Sequence, residues 1–499
     1  MALHQVTTEN GVIEGIPGAN PSYTVFKGIP YASPPVGKNR WREPQPVENW
    51  KGIYKANAFK GICPQVLEME SEIFERDNPY PFEKVSEDCL YLNVWTPAKT
   101  DAEKLPVLFS IHGGANVTGF GHQMCFDGEA FCKEKCILVT FTWRVNVFGW
   151  LVHKELSEES EHHVSGNYGI LDQIAALKWV RKNIAAFGGD PENITIMGES
   201  AGGSSVFSLS LTPLTRGMFK RAIMQSGGGY NIFSHKTYLS LEEMEDNMNL
   251  QKLLGVSSIE EARKIPDMEI ERLINRPEAQ GAYLPMQAMD GYVFPRNFDE
   301  MCQRHEYHDI QYMIGYTKDE SFMYVYPEDK ERFIEDQKNE YGEYADRYLE
   351  LCDFLNDDEA FRKHLFSRNA EMLKTAAIVF AETLEEGNKN KAYMYCFDRD
   401  LGDGYGAYHS SELWYLFGTL AREGRNFVGI DYELSEKMTK YWANFARTGN
   451  PNGEGLPEWS VYSKEMPLAM ELGVEVGMRD FGVNERIIFR KNFLKGTMK

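Results

Sequence analysis

The sequence predicts an α/β protein with a mostly parallel central sheet and helices on both of its faces. Apolar strand-like segments alternate with helical segments from residue 105 onward, and several of these strands end in glycines. Strands that are apolar on both sides are typical of parallel sheets covered by helices. No internal repeat or long linker divides the 499 residues, so we expect a single domain over 1–499.

Four apolar segments predict strands of this sheet, and one periodic segment predicts a helix between them. The strands are expected at 105–114, 136–145, 193–203 and 221–228, where apolar residues, many of them β-branched, dominate. Between the second and third strands, 168–189 has apolar residues at helical spacing and ends at two glycines, a common helix stop. This alternation of elements is the basis of the predicted layered fold.

Two longer segments, 236–310 and 322–405, are charged, largely helical and poor in strand signals. Within the second, 367–387 has the spacing of an amphipathic helix. Ligands of open α/β sheets bind at the carboxyl ends of the strands. We therefore expect both segments to be cap insertions over that edge, although most of their residues should serve only to pack.

The composition favours a folded protein without nucleic-acid partners. Hydrophobic residues make up 42% of the chain, charged residues 25%, and the formal net charge is −21. That charge repels phosphates, and no basic cluster reverses it locally.

No apolar run approaches the roughly 18 residues of a membrane span. No secretory pattern is visible at the N-terminus, so we expect a cytoplasmic protein, with a trimmed secreted form as the open alternative.

The segment GESAG at 198–202 matches the pattern G-x-S-x-G between a predicted strand and a predicted helix. Such a turn exposes the serine hydroxyl and places it beside the N–H groups of the helix N-terminus. Upstream, HGGA at 112–115 follows another strand, as the oxyanion loops of esterases do. Together the two motifs predict that Ser200 is the nucleophile of an α/β-hydrolase fold.

From these motifs outward, the chain resembles the type B carboxylesterases, the family that includes the cholinesterases, and in particular their bacterial members. The resemblance implies an ester hydrolase whose triad is Ser200, Glu320 and His409, in the chain order expected for α/β-hydrolases. The blocks that carry it stand in the family's order at 26–46, 86–97, 112–115, 166–203, 223–227, 315–321, 406–418 and 441–453.

The resemblance also implies an oxyanion hole. Gly114, Ala115 and Ala201 match the family's three N–H donors. Ala115 stands where many members have a glycine, and it would cost stability if its φ were positive. Asn116 stands where an aromatic residue is common, so we expect a more polar acyl side of the pocket.

Supporting residues are implied in the same way. We expect Glu199 and Ser226 to support the triad without reacting themselves. Cys63 and Cys89 match the family's first disulfide, although a reducing cytoplasm would leave both as thiols, and both states stay open.

The segment between these cysteines also bears on the choice of substrate. No tryptophan stands there to hold a choline cation, which argues against a choline esterase. Tyr80 and Phe82 are weaker candidates for that role. Two family salt bridges, Arg40–Glu87 and the pair formed by Arg144 with Asp172, are expected to be architectural.

The expected reaction is hydrolysis of a small to medium carboxylic ester through an acyl-enzyme, with no metal or organic cofactor. If the pKa of His409 were ordinary, activity would fall below about pH 6.5. The alternatives are a specialised lipase or an esterase for bulky or tertiary alcohols. A non-catalytic adhesion-type member is disfavoured by the intact triad, and a metallohydrolase by the incomplete histidine pairs. The oligomeric state is not predicted.

Overall fold

The protein is built around one large mixed sheet. The computed structural model describes residues 2–66, 84–229, 238–321, 329–387 and 391–498. The strands in these ranges are β1 Gln5–Thr8, β2 Gly11–Glu14, β3 Ile16–Pro17, β4 Thr24–Pro30, β5 Ile53–Lys55, β6 Tyr91–Thr96, β7 Leu105–Ile111, β8 Ile137–Phe141, β9 Gly189–Glu199, β10 Arg221–Gln225, β11 Gln311–Thr317, β12 Ala392–Asp398, β13 Leu468–Gly473 and β14 Val476–Asp480.

Helices connect most of these strands. Among the described residues, none of the helices is both long and apolar enough to cross a lipid bilayer. The α-helices are α1 Glu129–Lys133, α2 Asn146–Trp150, α3 Lys154–Glu159, α4 Tyr168–Asn183, α5 Ala201–Leu211, α6 Leu241–Asn247, α7 Leu250–Leu254, α8 Ile259–Ala262, α9 Asp267–Ile274, α10 Phe298–Gln303, α11 Lys330–Tyr341, α12 Ala345–Glu350, α13 Asp358–Glu386, α14 Glu412–Leu416, α15 Gly429–Thr448 and α16 Glu485–Leu494.

The strand order in the large sheet is β14-β13-β12-β11-β10-β9-β7-β8-β6-β4-β3, while β1, β2 and β5 form a separate three-stranded sheet. Every neighbouring pair from β13 to β8 is parallel. The pairs at the two edges of the sheet are antiparallel. The predicted mostly parallel central sheet is therefore confirmed, and the carboxyl ends of its central strands meet at one edge.

Helices cover both faces of the sheet, as the sequence predicts. Along β7, Val107 and Phe109 pack in a core that includes Ile174 of α4, whereas Leu108 packs in a second core that includes Trp442 of α15. Successive residues of a strand point to opposite faces, so a strand between two helical layers must be apolar on both. This requirement explains the continuous apolar runs in the sequence.

The predicted bounds of the second cap segment, 322–405, are wrong at the C-terminal end. Residues 392–398 form β12, which pairs with β11 and β13 inside the sheet, so 322–405 is not a cap throughout. Charged residues flank the short aromatic run AYMYCFD and obscure its strand pattern. Helix α13 of the same segment packs Phe380 against Tyr312 of β11, with ring centroids 5.3 Å apart. Part of this segment therefore builds the main core.

Both ion pairs implied by the family resemblance are present and buried. Arg40 Nη2 lies 2.6 Å from Glu87 Oε2, and Arg144 Nη2 lies 2.8 Å from Asp172 Oδ1. Arg144 also donates from Nη1 to the Arg42 carbonyl at 2.8 Å. Because Asp172 belongs to α4 and Arg144 follows β8, the second pair ties a helix to the end of a central strand.

Candidate active site

Ser200 occupies a sharp turn between β9 and α5. Its φ of 57° and ψ of −124° form a conformation that residues other than glycine rarely adopt. Its N–H donates to the Gln225 carbonyl at 2.8 Å, which anchors the turn to β10. The serine therefore lies at the N-terminus of α5, where the helix dipole favours negative charge.

The turn is glycine-rich because neighbouring backbone leaves no room for side chains. A Cβ on Gly227 would lie 2.0 Å from the Ser200 carbonyl oxygen. A Cβ on Gly202 would lie 2.2 Å from the Ile111 carbonyl oxygen. Real Cβ atoms do not approach backbone oxygens this closely, so both positions require glycine.

The three side chains of the proposed triad form one hydrogen-bonded succession. Ser200 Oγ lies 2.9 Å from His409 Nε2, and His409 Nδ1 lies 2.5 Å from Glu320 Oε2. The second oxygen of Glu320 accepts the N–H of Thr317 at 2.7 Å, which orients the carboxylate. Because Ser200 follows β9, Glu320 follows β11 and His409 follows β12, the sheet brings together residues that are distant in sequence.

Carboxylates surround the imidazole of His409. Glu199 Oε1 lies 3.3 Å from His409 Nε2 and accepts the hydroxyl of Ser410 at 2.7 Å. Burial disfavours the charged imidazole, but Glu199 and Glu320 outweigh it and raise the pKa of His409 to about 9. Burial raises the pKa of Glu199 to about 7, although the positive charge of His409 opposes this. The site therefore retains a proton more strongly than a solvent-exposed histidine does.

A third buried carboxyl group lies behind the imidazole and was missed in the sequence. Glu412 begins α14, three residues after His409, and is fully buried. Gln225 Nε2 donates to Glu412 Oε1 at 3.4 Å. Burial, reinforced by the neighbouring carboxylates, raises the pKa of Glu412 well above its usual range. The sequence signal that could have indicated a buried acid is the position of this glutamate directly before the apolar run LWYLF.

Two of the three expected oxyanion-hole residues, Ala115 and Ala201, line one cavity together with Ser200. A Cβ on Gly113 would lie 3.1 Å from Ser200 Cβ, so the loop packs directly against it. Ala201 opens α5, where the first N–H groups have no acceptor within the helix. Among the described residues, none accepts a hydrogen bond from the N–H of Gly114, Ala115 or Ala201. These groups are therefore free to donate to an oxygen bound beside Ser200.

The loop that carries these donors has left-handed backbone. Gly114 has a φ of 108°, Ala115 of 53° and Asn116 of 63°. Ala115 therefore carries the conformational cost that a positive φ imposes on a residue with a Cβ. Asn116 tolerates this region better, and its Nδ2 donates to the Pro285 carbonyl at 3.0 Å. The amide of Asn116 thus links the loop to the first cap segment.

Ser226 follows β10 and is buried beside the elbow. It has a φ of 47°, and its N–H donates to the Gly315 carbonyl at 2.8 Å. Its hydroxyl has no hydrogen-bond partner among the described residues. Ser226 and Ser200 both line a cavity of about 270 Å³.

Cys63 and Cys89 are free, buried thiols in the structure. They lie close enough to influence each other, and burial raises the pKa of the Cys89 thiol well above its usual range. In the structure both cysteines are therefore reduced, which is one of the two states that the sequence left open. Tyr80 and Phe82, the other aromatic candidates of this segment, lie outside the described residues.

The model of the carboxylesterase family matches residues 2–489 of the chain. The chain belongs to this family. Human cocaine esterase is 32% identical to this carboxylesterase over 92% of the chain and 86% of that protein. Para-nitrobenzyl esterase of Bacillus subtilis is 31% identical over 96% of the chain and 95% of that protein. A solved PNB esterase structure matches 98% of the chain and 100% of its own, with a TM-score of 0.80 and 29% identity.

These findings confirm the family resemblance and the α/β-hydrolase fold. The protein is a carboxylesterase, an enzyme that hydrolyses carboxylic esters. A triad of serine, histidine and glutamate is typical of this family, and the structure places residues of these three types in contact.

Proposed function

We propose that this carboxylesterase hydrolyses small to medium carboxylic esters through an acyl-enzyme formed on Ser200. The observation that carries the proposal is the contact from Ser200 Oγ to His409 at 2.9 Å and from His409 to Glu320 at 2.5 Å. This succession allows a proton to leave the hydroxyl as it attacks a carbonyl carbon.

In the first half of the reaction, His409 Nε2 accepts the Ser200 proton while Oγ attacks the ester carbonyl. Glu320 accepts a hydrogen bond from Nδ1–H and stabilises the positive imidazole. The N–H groups of Gly114, Ala115 and Ala201 donate to the oxygen that becomes negative. His409 then protonates the leaving alcohol, and the acyl group stays on Ser200.

In the second half, water replaces the alcohol. His409 accepts a proton from this water, which attacks the acyl carbon and forms a second tetrahedral intermediate in the same oxyanion hole. Collapse of that intermediate releases the carboxylic acid and returns the proton to Ser200. The protein groups named here supply every proton transfer in the cycle.

The size of the proposed substrate follows from the cavity beside Ser200. Its volume is about 270 Å³. An apolar cavity of roughly 150 Å³ is enough to hold benzene. The cavity therefore has room for an acyl group somewhat larger than one aromatic ring, and it favours medium groups over long lipid chains.

The proposal is tested with Ser200→Ala on the p-nitrophenyl ester of a short fatty acid. Loss of the nucleophile should lower kcat by at least about ten-thousandfold, because the remaining groups only bind the ester. A fluorophosphonate should add its mass to the 198–202 peptide of the wild type but not of the variant. Ser257→Ala, at an exposed serine, is the matched control and should behave as the wild type. Near-normal turnover by Ser200→Ala would refute the proposal.

A further inference from the structure

The cavity beside Ser200 lies on the side of the acyl group. During the proposed reaction the leaving alcohol must stay next to His409, which protonates it. The described residues that line the cavity include Ala115, Ser200 and Ala201, but His409 is not among them. An ester that places its carbonyl in the oxyanion hole and its alcohol at His409 therefore directs its acyl group into this cavity.

One wall of this acyl cavity is apolar. Phe207, Tyr238, Leu284, Phe298 and Leu373 all line it. Aromatic and aliphatic side chains of this kind bind the hydrocarbon part of a ligand by excluding water. This wall alone predicts a preference for plain alkyl or aryl acyl groups.

A second set of lining residues forms a polar wall, and helix geometry explains part of it. Ser204 and Ser208 are four residues apart on α5, so their hydroxyl groups share one face of the helix, whose N-cap is Ser200. Ser208 Oγ donates to the Ser204 carbonyl at 2.9 Å and accepts from Gln287 Nε2 at 3.4 Å. All of these residues line the cavity. The nucleophile thus begins a stripe of polar groups that ends at Gln287.

Several groups of this polar wall have unused hydrogen-bonding capacity. Within the described part of the chain, Gln287 Oε1 and Ser204 Oγ make no hydrogen bond, but neither atom is fully buried: Ser204 is partly exposed, and Gln287 is 9% exposed. The Ser226 hydroxyl also lacks a partner there, and Ser226 is 2% exposed. A buried polar group without a partner is unfavourable, so a ligand that bonds to the Ser226 hydroxyl removes this cost, while Ser204 Oγ and Gln287 Oε1 are available to bond to a ligand in the cavity.

We propose that the acyl cavity selects esters of hydroxylated medium-chain carboxylic acids, whose hydroxyl group bonds to Ser204 and Gln287. This inference rests on the proposed esterase function and names its substrate class. Along α5, Ser204 lies about 6 Å and Ser208 about 12 Å beyond Ser200, given the rise per residue of a helix. The hydroxyl group therefore belongs near the far end of the acyl chain, and the apolar wall holds the carbons between.

The polar wall favours a neutral substituent over a charged one. The described lining residues include no lysine, arginine, aspartate or glutamate. A terminal carboxylate or ammonium group would lose its hydration in the cavity without gaining an opposite charge. A hydroxyl group both donates and accepts, which matches the serine hydroxyls and the carboxamide.

The test compares pairs of p-nitrophenyl esters that differ only in a terminal group. The ω-hydroxyhexanoate is paired with the heptanoate, and the ω-hydroxyoctanoate with the nonanoate, so that a methyl group replaces each hydroxyl. The selectivity ratio is kcat/KM for the hydroxy ester divided by kcat/KM for its partner. We expect a ratio of about ten for at least one pair in the wild type, because the methyl group leaves the polar wall unpaired. A ratio of one or less for both pairs would overturn the inference.

Two variants test whether the polar wall causes the selectivity ratio. Gln287→Leu and Ser204→Ala remove its two unpaired groups, and each should bring the ratio toward one. Leu284→Ala, on the apolar wall, is the matched control: it should lower kcat/KM for both members of a pair and leave their ratio unchanged. Retention of the wild-type ratio in both wall variants would also overturn the inference.

The two proposals fail in different ways. Rapid hydrolysis of the heptanoate together with phosphonate labelling supports the esterase function whatever the selectivity ratio is. Absence of hydrolysis of all four esters and of labelling would refute the esterase function, and the inference with it.

Discussion

His409 lies among three buried carboxyl groups, and the negative charges of Glu199 and Glu320 raise the pH at which its imidazole becomes neutral. Glu320 holds Nδ1, Glu199 approaches Nε2 to 3.3 Å, and Glu412 lies behind on the next helix. A general base must be neutral before it can accept the serine proton. Because the pKa of His409 is raised to about 9, the acidic limb of the pH–rate profile should lie above pH 6.5, where an ordinary histidine would place it.

The first prediction concerns Glu199→Gln. The variant removes a negative charge beside the imidazole, so the pKa of His409 should fall and activity should persist to lower pH than in the wild type. A profile of kcat/KM against pH measures the shift. Glu192→Gln, at a carboxylate with an exposed side chain, is the control and should leave the midpoint unchanged. An unmoved or upward midpoint in Glu199→Gln would contradict this account of the site.

The second prediction concerns the strained alanine of the oxyanion loop. Ala115→Gly should raise the free energy of unfolding, by up to about 1 kcal/mol, because glycine adopts a positive φ without a Cβ clash. The N–H donor is retained, so esterase activity should persist. Urea unfolding is the measurement. Ala185→Gly, in a 3₁₀ helix with ordinary φ, should instead destabilise the protein by about 0.5–1 kcal/mol. Destabilisation by both substitutions would argue against strain at Ala115.

At the scale of elements, buried ion pairs position the helices against the sheet. The Arg144–Asp172 pair links the segment after β8 to α4, and the Arg144 backbone N–H also donates to the Asp172 carboxylate at 3.1 Å. Helix α4 in turn donates from Gln173 Nε2 to Ser205 Oγ on α5, the helix that directly follows Ser200. A change at the ion pair can therefore reach the elbow through two packed helices.

The third prediction tests the contribution of this buried ion pair to stability with Arg144→Met. The variant leaves the Asp172 carboxyl group buried without its partner, which should cost about 3–5 kcal/mol of unfolding free energy. Chemical denaturation monitored by tryptophan fluorescence measures the loss. Lys154→Met removes one partner of the exposed Lys154–Asp246 pair and should leave the stability nearly unchanged. Equal losses of unfolding free energy in the two variants would show that burial of the ion pair does not influence its contribution to stability.

The elements of the catalytic centre were more predictable than the cap. The strand, turn and helix around Ser200 follow from apolar runs and glycines, since local sterics determine them. The strand β12 was missed because its burial depends on neighbours supplied from elsewhere in the chain. Gln287 was missed as well, because a loop residue reaches the cavity only through the path of the cap.

At the scale of the whole molecule, the sequence does not show which side chains from distant parts of the chain come into contact. Spacing alone cannot select His409 among eleven histidines, and the family resemblance was needed to place it beside Ser200. The structure brings these side chains into contact across 209 residues of chain. Their catalytic roles, like the expected cytoplasmic location, stay predictions that await experiment.

The fourth prediction uses the formal net charge of −21. Negative potential around the protein should repel anionic esters and attract cationic ones, and salt should screen both effects. Raising the ionic strength from about 10 to about 150 mM should therefore raise kcat/KM for an anionic ester and lower it for a cationic one. A neutral ester with the same acyl group is the control. Identical salt dependence of all three would show that the net charge does not influence substrate binding.

The crowding around the elbow glycines has a consequence for attempts to redesign the enzyme. Gly202 and Gly227 are each closed in by backbone that cannot yield to a larger residue. Mutant libraries that diversify this turn should contain mostly inactive clones, whereas the loop 284–287 lines the cavity, where a change of side chain alters the space for the acyl group. New substrate preferences are therefore best sought in that loop, with the turn kept constant.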